Sequence, residues 1–553
     1  MQNRDIYAEK ALAGLPRILG NMDRNPLSAT YGCLHRDYWL DKTSDFPDAV
    51  RQFAVQALAL VYKHAFPGNP YQGHPKMLAW TLAALDFWQK IQHRDGSFDE
   101  FYPYERGWVG PTAFTTFTVI EALNILGEEV PPELSERVRA AVARAARFIC
   151  QGDREEDHLA NHHAMACLAV YKAWRLLEDP ALEAGYRRLW QGFLAYHQAG
   201  EGWSREYDGV DPGYLSATVS FLAKIYQESR EPELLEVLRS AVECCSYFAY
   251  PNGYYGGSLG SRNTLHFYPH GFEIMAREIP LAGAVAEKML VALGQGKLVP
   301  PQIISDRYLV YRVPEFLQAY LDYAPRGQQP PPLPWEREPF NRFLPQAKIW
   351  VCQREDIYAI ANLAKGGVLK VFSRPGGRLL VNDCGILGRT EAGQVVTSQW
   401  IDPGYDIRAT ALGWEVSGHL HQVAAHKLFN PLKNIIFRLV LITLGRFPGF
   451  SHFLKGRIRK SLILKQAQAP IRFRRSLRLE KDRLVLRDEI VLEEGVRLER
   501  LRLGDEFFAR YVPQSMYFQL QELEAAGREL SPEELERLNQ DRRLLLERTS
   551  ELS

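Results

Sequence analysis

Three segments of the N-terminal half gather the side chains that proton-transfer chemistry needs. The first is Asn161-His162-His163. The second is Glu206-Tyr207-Asp208-Gly209-Val210-Asp211-Pro212-Gly213-Tyr214. The third is Arg262-Asn263, continuing to His266, Tyr268 and His270. Asn, Arg or a protonated His neutralises a carboxylate, His or Tyr removes a proton, and Tyr returns one to a leaving group. That set suits removal of the C5 proton of a uronic acid, which is acidic only once the neighbouring carboxylate is neutralised. Departure of the 4-O substituent then gives an unsaturated sugar, whereas reprotonation on the opposite face gives the C5 epimer. Both outcomes share the first step, and the residues leave them open.

The elements that must position these segments are helices. Apolar residues recur at helical spacing over 49–66, 76–92, 113–126, 132–149, 161–177, 181–197, 214–227 and 233–248. Pro132, Pro180 and Pro232 stand near helix starts, where proline is tolerated. Turns of one type recur between them: Asp95-Gly96-Ser97-Phe98, Glu201-Gly202-Trp203-Ser204 and Asn252-Gly253-Tyr254-Tyr255, with Gln151-Gly152-Asp153 at a further expected position. One helical hairpin per roughly fifty residues is the mark of stacked helix pairs. Closed into a ring they form an α/α toroid over residues 1–325, with loops gathered at one mouth.

Residues 326–345 are proline-rich and predict a stiff linker. Beyond it the periodicity changes to two over 348–351, 357–363, 367–372, 378–382, 471–479, 483–492 and 496–503, predicting an antiparallel β-sandwich over 346–520. Residues 521–553 predict a charged helical tail. Inside the β region no Asp or Glu occurs between Val416 and Leu479, although Lys and Arg are frequent and the stretch is apolar around Ile435-Ile436-Phe437. A basic, apolar insertion at about 425–462 suits peripheral contact with an anionic membrane. A helical insertion packed on the sandwich, its cations reaching to water, is the plainer alternative.

Bulk properties narrow the class. A chain of 553 residues with 46% hydrophobic residues implies more than one domain. A formal net charge of +1 gives no field for nucleic acid. Seven cysteines without regular spacing favour reduced thiols, and the N-terminus shows no basic region followed by an apolar run, so a cytoplasmic location is expected.

The Asn161-His162-His163-Ala164-Met165 stretch opening a helix, followed by Glu201-Gly202-Trp203, Glu206 and Pro212-Gly213-Tyr214, resembles the heparinase II/III-like polysaccharide lyases and related uronyl epimerases. The resemblance implies a toroid-plus-sandwich fold and an acidic polysaccharide or oligosaccharide as substrate, with no cofactor. It further implies that Asn161 neutralises the uronate carboxylate, that His162 is the base, and that Tyr214 is the acid or both acid and base. His163, Trp203, Glu206, Arg262, Asn263, His266, Tyr268 and His270 are then substrate-binding candidates. This chain departs from the family in the longer turn 207–211, which makes Tyr207 a competitor of Tyr214. The family also draws a His or Tyr from its sandwich, for which Tyr405, His419 and His421 are positional candidates.

Plainer roles compete with these. Asn161 could cap its helix, Tyr214 could be inner-ring packing, and Arg262 could pair with Glu273. His266 and His270 share a spacing that fits a metal, but Pro269 interrupts the helix and no metal is expected. Two other classes remain: hydrolysis by paired carboxylates among Asp99, Glu100, Glu206, Asp208 and Asp211, and a non-catalytic glycan-binding or scaffold protein of a polysaccharide assembly system.

Overall fold

The structure is a computed structural model. It describes residues 3–552 except 102–108, 152–158, 328, 411, 424–429, 448, 451, 452, 455, 456, 458–466, 482, 505, 508–516, 525 and 526.

The helical half is a closed toroid. Its inner ring consists of Val55–Lys63, Val109–Leu126, Ala160–Leu177, Pro212–Ser229, His270–Met275 and Asp306–Leu321, each packed on the next and the last on the first. Pro75–Lys90, Pro132–Gln151, Pro180–Leu194, Pro232–Ser246 and Pro280–Gly294 lie outside them. The two rings are told apart by their sequences. Val109–Leu126 is apolar on every side because it is enclosed; it is long and apolar enough to cross a bilayer, yet it is mostly buried within the toroid. Pro132–Gln151 buries only one stripe, including Leu134, Val138, Val142 and Ile149.

The repeated turns explain how hairpin follows hairpin. Gly96 and Gly202 have φ of +92° and +77°, and a Cβ there would lie 2.4 Å from the Arg144 carbonyl oxygen and 1.9 Å from that of Ser240. Only glycine lets each turn close against the following outer helix. Of the further expected turn at 151–153, all but Gln151 lies outside the described residues.

Among the described residues the β half forms two antiparallel sheets. Phe340–Leu344, Ile349–Gln353, Ile357–Asn362, Val368–Ser373 and Leu379–Asp383 form a five-stranded meander. The second sheet centres on Gly413–Gln422, Gln468–Leu479 and Arg483–Leu492. Val351, Ile360 and Phe372 of the first sheet join the toroid core, while Trp350, Ala361 and Val371 face the second sheet. Strands covered on both faces lose polar alternation, so Ile349–Gln353 is buried throughout. Gln468–Leu479, open on one face, alternates along its whole length.

Three boundaries differ from expectation. Phe340–Leu344 is already a strand of the sandwich, paired with Ile349–Gln353. The proline-rich segment is tied down rather than free: Trp335 Nε1 donates to the Ala249 carbonyl at 3.2 Å, and Arg337 holds Glu243 through both guanidinium ends at 2.6 and 2.9 Å. The C-terminal residues are no helical tail. After the helix Pro532–Asp541, Arg543–Glu551 forms an edge strand along Arg483–Leu492, and Leu544 and Leu546 supply the core. Arg543, Glu547 and Glu551 lie on the exposed face of this strand, and their spacing mimics a solvated helix in sequence.

Candidate functional site

The helices beginning at Val109, Ala160, Pro212 and Asp306 bring their N-termini to one mouth, where the aligned peptide dipoles favour an anion. Asn161, His162 and Tyr214 are all first-turn residues.

Asn161 is not a helix cap. The capping position is Leu159, and Asn161 gives both its backbone N–H (2.6 Å) and its amide nitrogen (2.7 Å) to Glu206 Oε1. The carboxyl of Glu206 is 1% exposed, and burial pushes its pKa up to about 8. The opposing pull of the Asn161 hydrogen bonds and of nearby His162 is weaker. Burial therefore favours the protonated form of Glu206. The hydroxyl is assigned to Oε2, buried without a partner among the described residues, because Oε1 accepts two hydrogen bonds.

Tyr207 adopts φ +60° and Asn263 φ +57°, left-handed conformations that cost non-glycine residues about 1–3 kcal/mol each. Both lie in loops of the mouth, whereas Glu178, Arg230 and Arg542 reach similar angles at helix C-caps. The two loops are stitched together by Asp211. Its Oδ1 caps the helix at the Tyr214 N–H (3.2 Å), and its Oδ2 accepts the Arg262 N–H (2.9 Å).

This stitching places the Arg262 guanidinium 3.9 Å over the Tyr207 ring. Arg262 is 2% exposed, and its Nε and Nη1 have no hydrogen-bond partner among the described residues. Tyr214 packs on Leu159 and Tyr207. Burial drives its phenol well above the ordinary tyrosine range, with Tyr207 and Tyr308 adding to the rise and Arg262 opposing it. His162 stands edge-on to Phe114 at 5.4 Å, in space left by Gly110, where a Cβ would come 2.9 Å from the ring.

Several expected residues lie elsewhere. His163 stacks on Tyr196 at 4.7 Å, beside the site rather than in it. The Trp203 indole donates to Glu201 Oε2 at 2.9 Å, and Glu201 accepts the N–H groups of Gln346 and Ala347 from the sandwich, so this turn is an interdomain clamp. Asn263 Oδ1 accepts from Lys365 Nζ at 2.5 Å, and the same lysine holds the carbonyls of Ser258 and Gly260. His266 meets the edge of Tyr517 at 5.4 Å, and Tyr268 lies under the Arg312 guanidinium at 4.7 Å.

His270 is too deep. Its segment descends inside the toroid, so its backbone N–H reaches Glu315 and its Nε2 sits 2.6 Å from Asp322 Oδ2, far along the last inner helix. Glu273 pairs with Arg326 and Tyr7, not with Arg262. In the sandwich, Tyr405 spends its hydroxyl on the carbonyls of Ser398 (3.3 Å) and His419 (3.4 Å). His419 faces Glu493, and His421 is buried with Nε2 2.9 Å from Asp402 Oδ2. The sandwich reaches the mouth instead through Ile401, whose Cδ1 would lie 2.6 Å from a Cβ on Gly209.

Sequence reasoning missed a wall of the mouth. Arg307 holds Asp48 at 2.7 Å and also Glu100, and lies 3.9 Å over Phe101. Tyr311 packs 5.4 Å from Phe114, and Tyr308 6.1 Å from Tyr311. The signal was present as Arg307-Tyr308 and Tyr311-Arg312, two polar pairs on adjacent turns of an otherwise buried helix. Three of the five carboxylates considered for hydrolysis are occupied: Asp99 faces His93 at 2.9 Å, Glu100 faces Arg307, and Asp211 is consumed by backbone N–H groups.

Residues 71–271 match the ulvan lyase N-terminal domain family. The chain has the toroid-plus-sandwich fold of heparinase III-like polysaccharide lyases. Heparinase III superposes at TM-score 0.51 with 11% identity, covering 100% of this chain and 84% of that one. The Paenibacillus xanthan lyase gives 0.53 at 12% identity, covering 93% of this chain but 49% of its own, so the chain spans about half that enzyme's length. The Streptomyces coelicolor A3 chondroitin AC lyase, in complex with chondroitin sulphate, gives 0.50 at 14% identity over 91% of this chain and 68% of that one. No curated protein matches in sequence.

Proposed function

We propose that this chain is a polysaccharide lyase that cleaves a uronate-containing polymer by β-elimination. The observation that carries the reading is Arg262: a buried cation beside Tyr207, two of whose guanidinium nitrogens have no partner among the described residues, at a mouth formed by helix N-termini. Leaving a buried charge unpaired is expensive unless a ligand completes it, and a uronate carboxylate has the required charge and shape.

In this reading Arg262 and the Asn161 amide bind the C6 carboxylate and stabilise the negative charge that spreads into it. His162 takes the C5 proton. The C5–H electron pair becomes the C4=C5 double bond while the C4–O bond breaks. Tyr214, whose raised pKa keeps its proton in place, protonates the departing oxygen. Protonated Glu206 holds the Asn161 amide without adding a negative charge next to the substrate. Elimination is preferred to epimerisation because the matching family and the fold relatives carry lyase names.

Incubation with a panel of uronate polymers in heavy water tests this. The expected result is a product absorbing through a C4=C5 bond conjugated to the carboxylate. Deuterium at C5 without cleavage means an epimerase, cleavage without a double bond a hydrolase, and binding without turnover a glycan-binding protein.

A further inference from the structure

The connection between Gly413–Gln422 and Gln468–Leu479, neighbouring strands of the second sheet, leaves the β domain and carries the helix Pro431–Thr443. Asn430 caps it by accepting the Lys433 N–H at 2.8 Å, and Pro431 occupies its first turn, so the helix has its own start signal. Its inner side is seated on the toroid. Leu441 is buried, and Arg438 lies 3.5 Å from Asp45 and 5.8 Å over the Phe46 ring.

Its outer side is apolar and open. Leu432, Ile435, Ile436 and Leu439 are 66%, 58%, 52% and 57% exposed, at spacings of three and four that put them on one face. Phe447, just beyond the helix, is 65% exposed. Packing on the sandwich would have covered this stripe; among the described residues nothing does. The exposed charges that accompany it, Lys433, Arg446 and Arg457, are all positive, and no acidic residue occurs between Val416 and Leu479.

We propose that this face docks on an anionic lipid surface. A bilayer offers hydrocarbon for the apolar stripe and phosphate for the cations, and a helix of this pattern lies in the interfacial plane. A second copy would bring cations against cations. An acidic polysaccharide in solution would satisfy the charges but leave the stripe in water. Because Arg438 ties the helix to Asp45, three residues from the Asp48–Arg307 pair, docking would set the mouth of the toroid close to the membrane.

The test is sedimentation of the full chain with vesicles of phosphatidylcholine alone or with about one third phosphatidylglycerol. Binding to the anionic vesicles only, weakening as salt is raised, is expected. Ile436→Ser/Leu439→Ser should lower that binding by roughly tenfold or more, since it removes two exposed apolar groups. Lys433→Glu/Arg446→Glu should do likewise without loss of thermal stability. Absence of binding, equal recovery with neutral vesicles, or binding unchanged by the apolar pair of substitutions would each overturn the proposal. So would a vesicle-free dimer that the Ser variant converts to monomer, which would make the face a self-contact.

Discussion

Arg262 in the toroid and Arg475 in the sandwich are both withdrawn from water, at 2% and 0% exposure, and the fold treats them in opposite ways. Arg475 is fully matched. Its Nε meets Asp488 at 2.6 Å, its Nη1 meets Asp383 at 2.6 Å, and Arg548 joins the same two carboxylates at 2.7 and 2.8 Å. Arg262 has an aromatic ring beneath it and two nitrogens unmatched among the described residues. A closed network of buried charge fixes the packing of strands, whereas an open one holds a place for a charge that arrives from outside. Burial alone does not distinguish the two; the list of partners does.

The largest effect expected of this contrast falls on Tyr214. Tyr214→Phe removes the proposed proton donor and should cut turnover by about 10³-fold or more, with an unchanged melting curve. Release of unsaturated product gives the measurement, and near-normal turnover would remove Tyr214 from the chemistry.

The two arginines supply the direct comparison. Arg262→Met should lower kcat/KM by about 10²–10³-fold while stability holds or rises, since an unpaired charge leaves the interior. Arg475→Met should cost about 3–5 kcal/mol in denaturant unfolding, because two buried carboxylates, Asp383 and Asp488, are left with Arg548 as the cation they share. Equal destabilisation by both would collapse the distinction.

Glu206 sharpens it through pH. Its folded pKa of about 8 stands above the ordinary 4.5, so the folded state binds more protons between those values. The stability this contributes is complete below pH 4.5 and is lost as pH rises through 8, at up to about 1.4 kcal/mol per pH unit. Glu206→Gln should flatten the profile of stability against pH. It should also remove a rise of KM above pH 8 that the ionised carboxylate would otherwise cause by repelling a uronate.

The smallest effect is expected at Lys365. Lys365→Met leaves the carbonyls of Ser258 and Gly260 without their donor, costing about 1–3 kcal/mol, with a few-fold loss of kcat/KM as the Arg262 loop loosens. Hydrogen exchange of residues 258–264 would show the loosening directly.

The sequence by itself determined the elements and most of their order. Helical periodicity placed the eight ring helices from Val55–Lys63 to Pro232–Ser246 to within a few residues, though not the last three, because an enclosed helix and a half-buried one must each write their environment into residue spacing. Glycine turns revealed the repeat, because no other residue fits against the next helix there. The first-turn positions of Asn161, His162 and Tyr214 were legible for the same local reason. What lay beyond reach were relations between distant segments. Nothing local shows that Glu206 would lose its charge by burial and grip Asn161, or that Lys365 would cross from the sandwich to pin Asn263. The descent of residues 264–270 into the toroid, which removes His270 from the mouth, is set by how the helices close. The final strand, Arg543–Glu551, was hidden because alternating charge on an edge strand resembles a solvated helix until its partner strand is present. Periodicity records which face of an element is covered; only the tertiary structure decides what covers it, and so which buried charges are matched and which are left waiting.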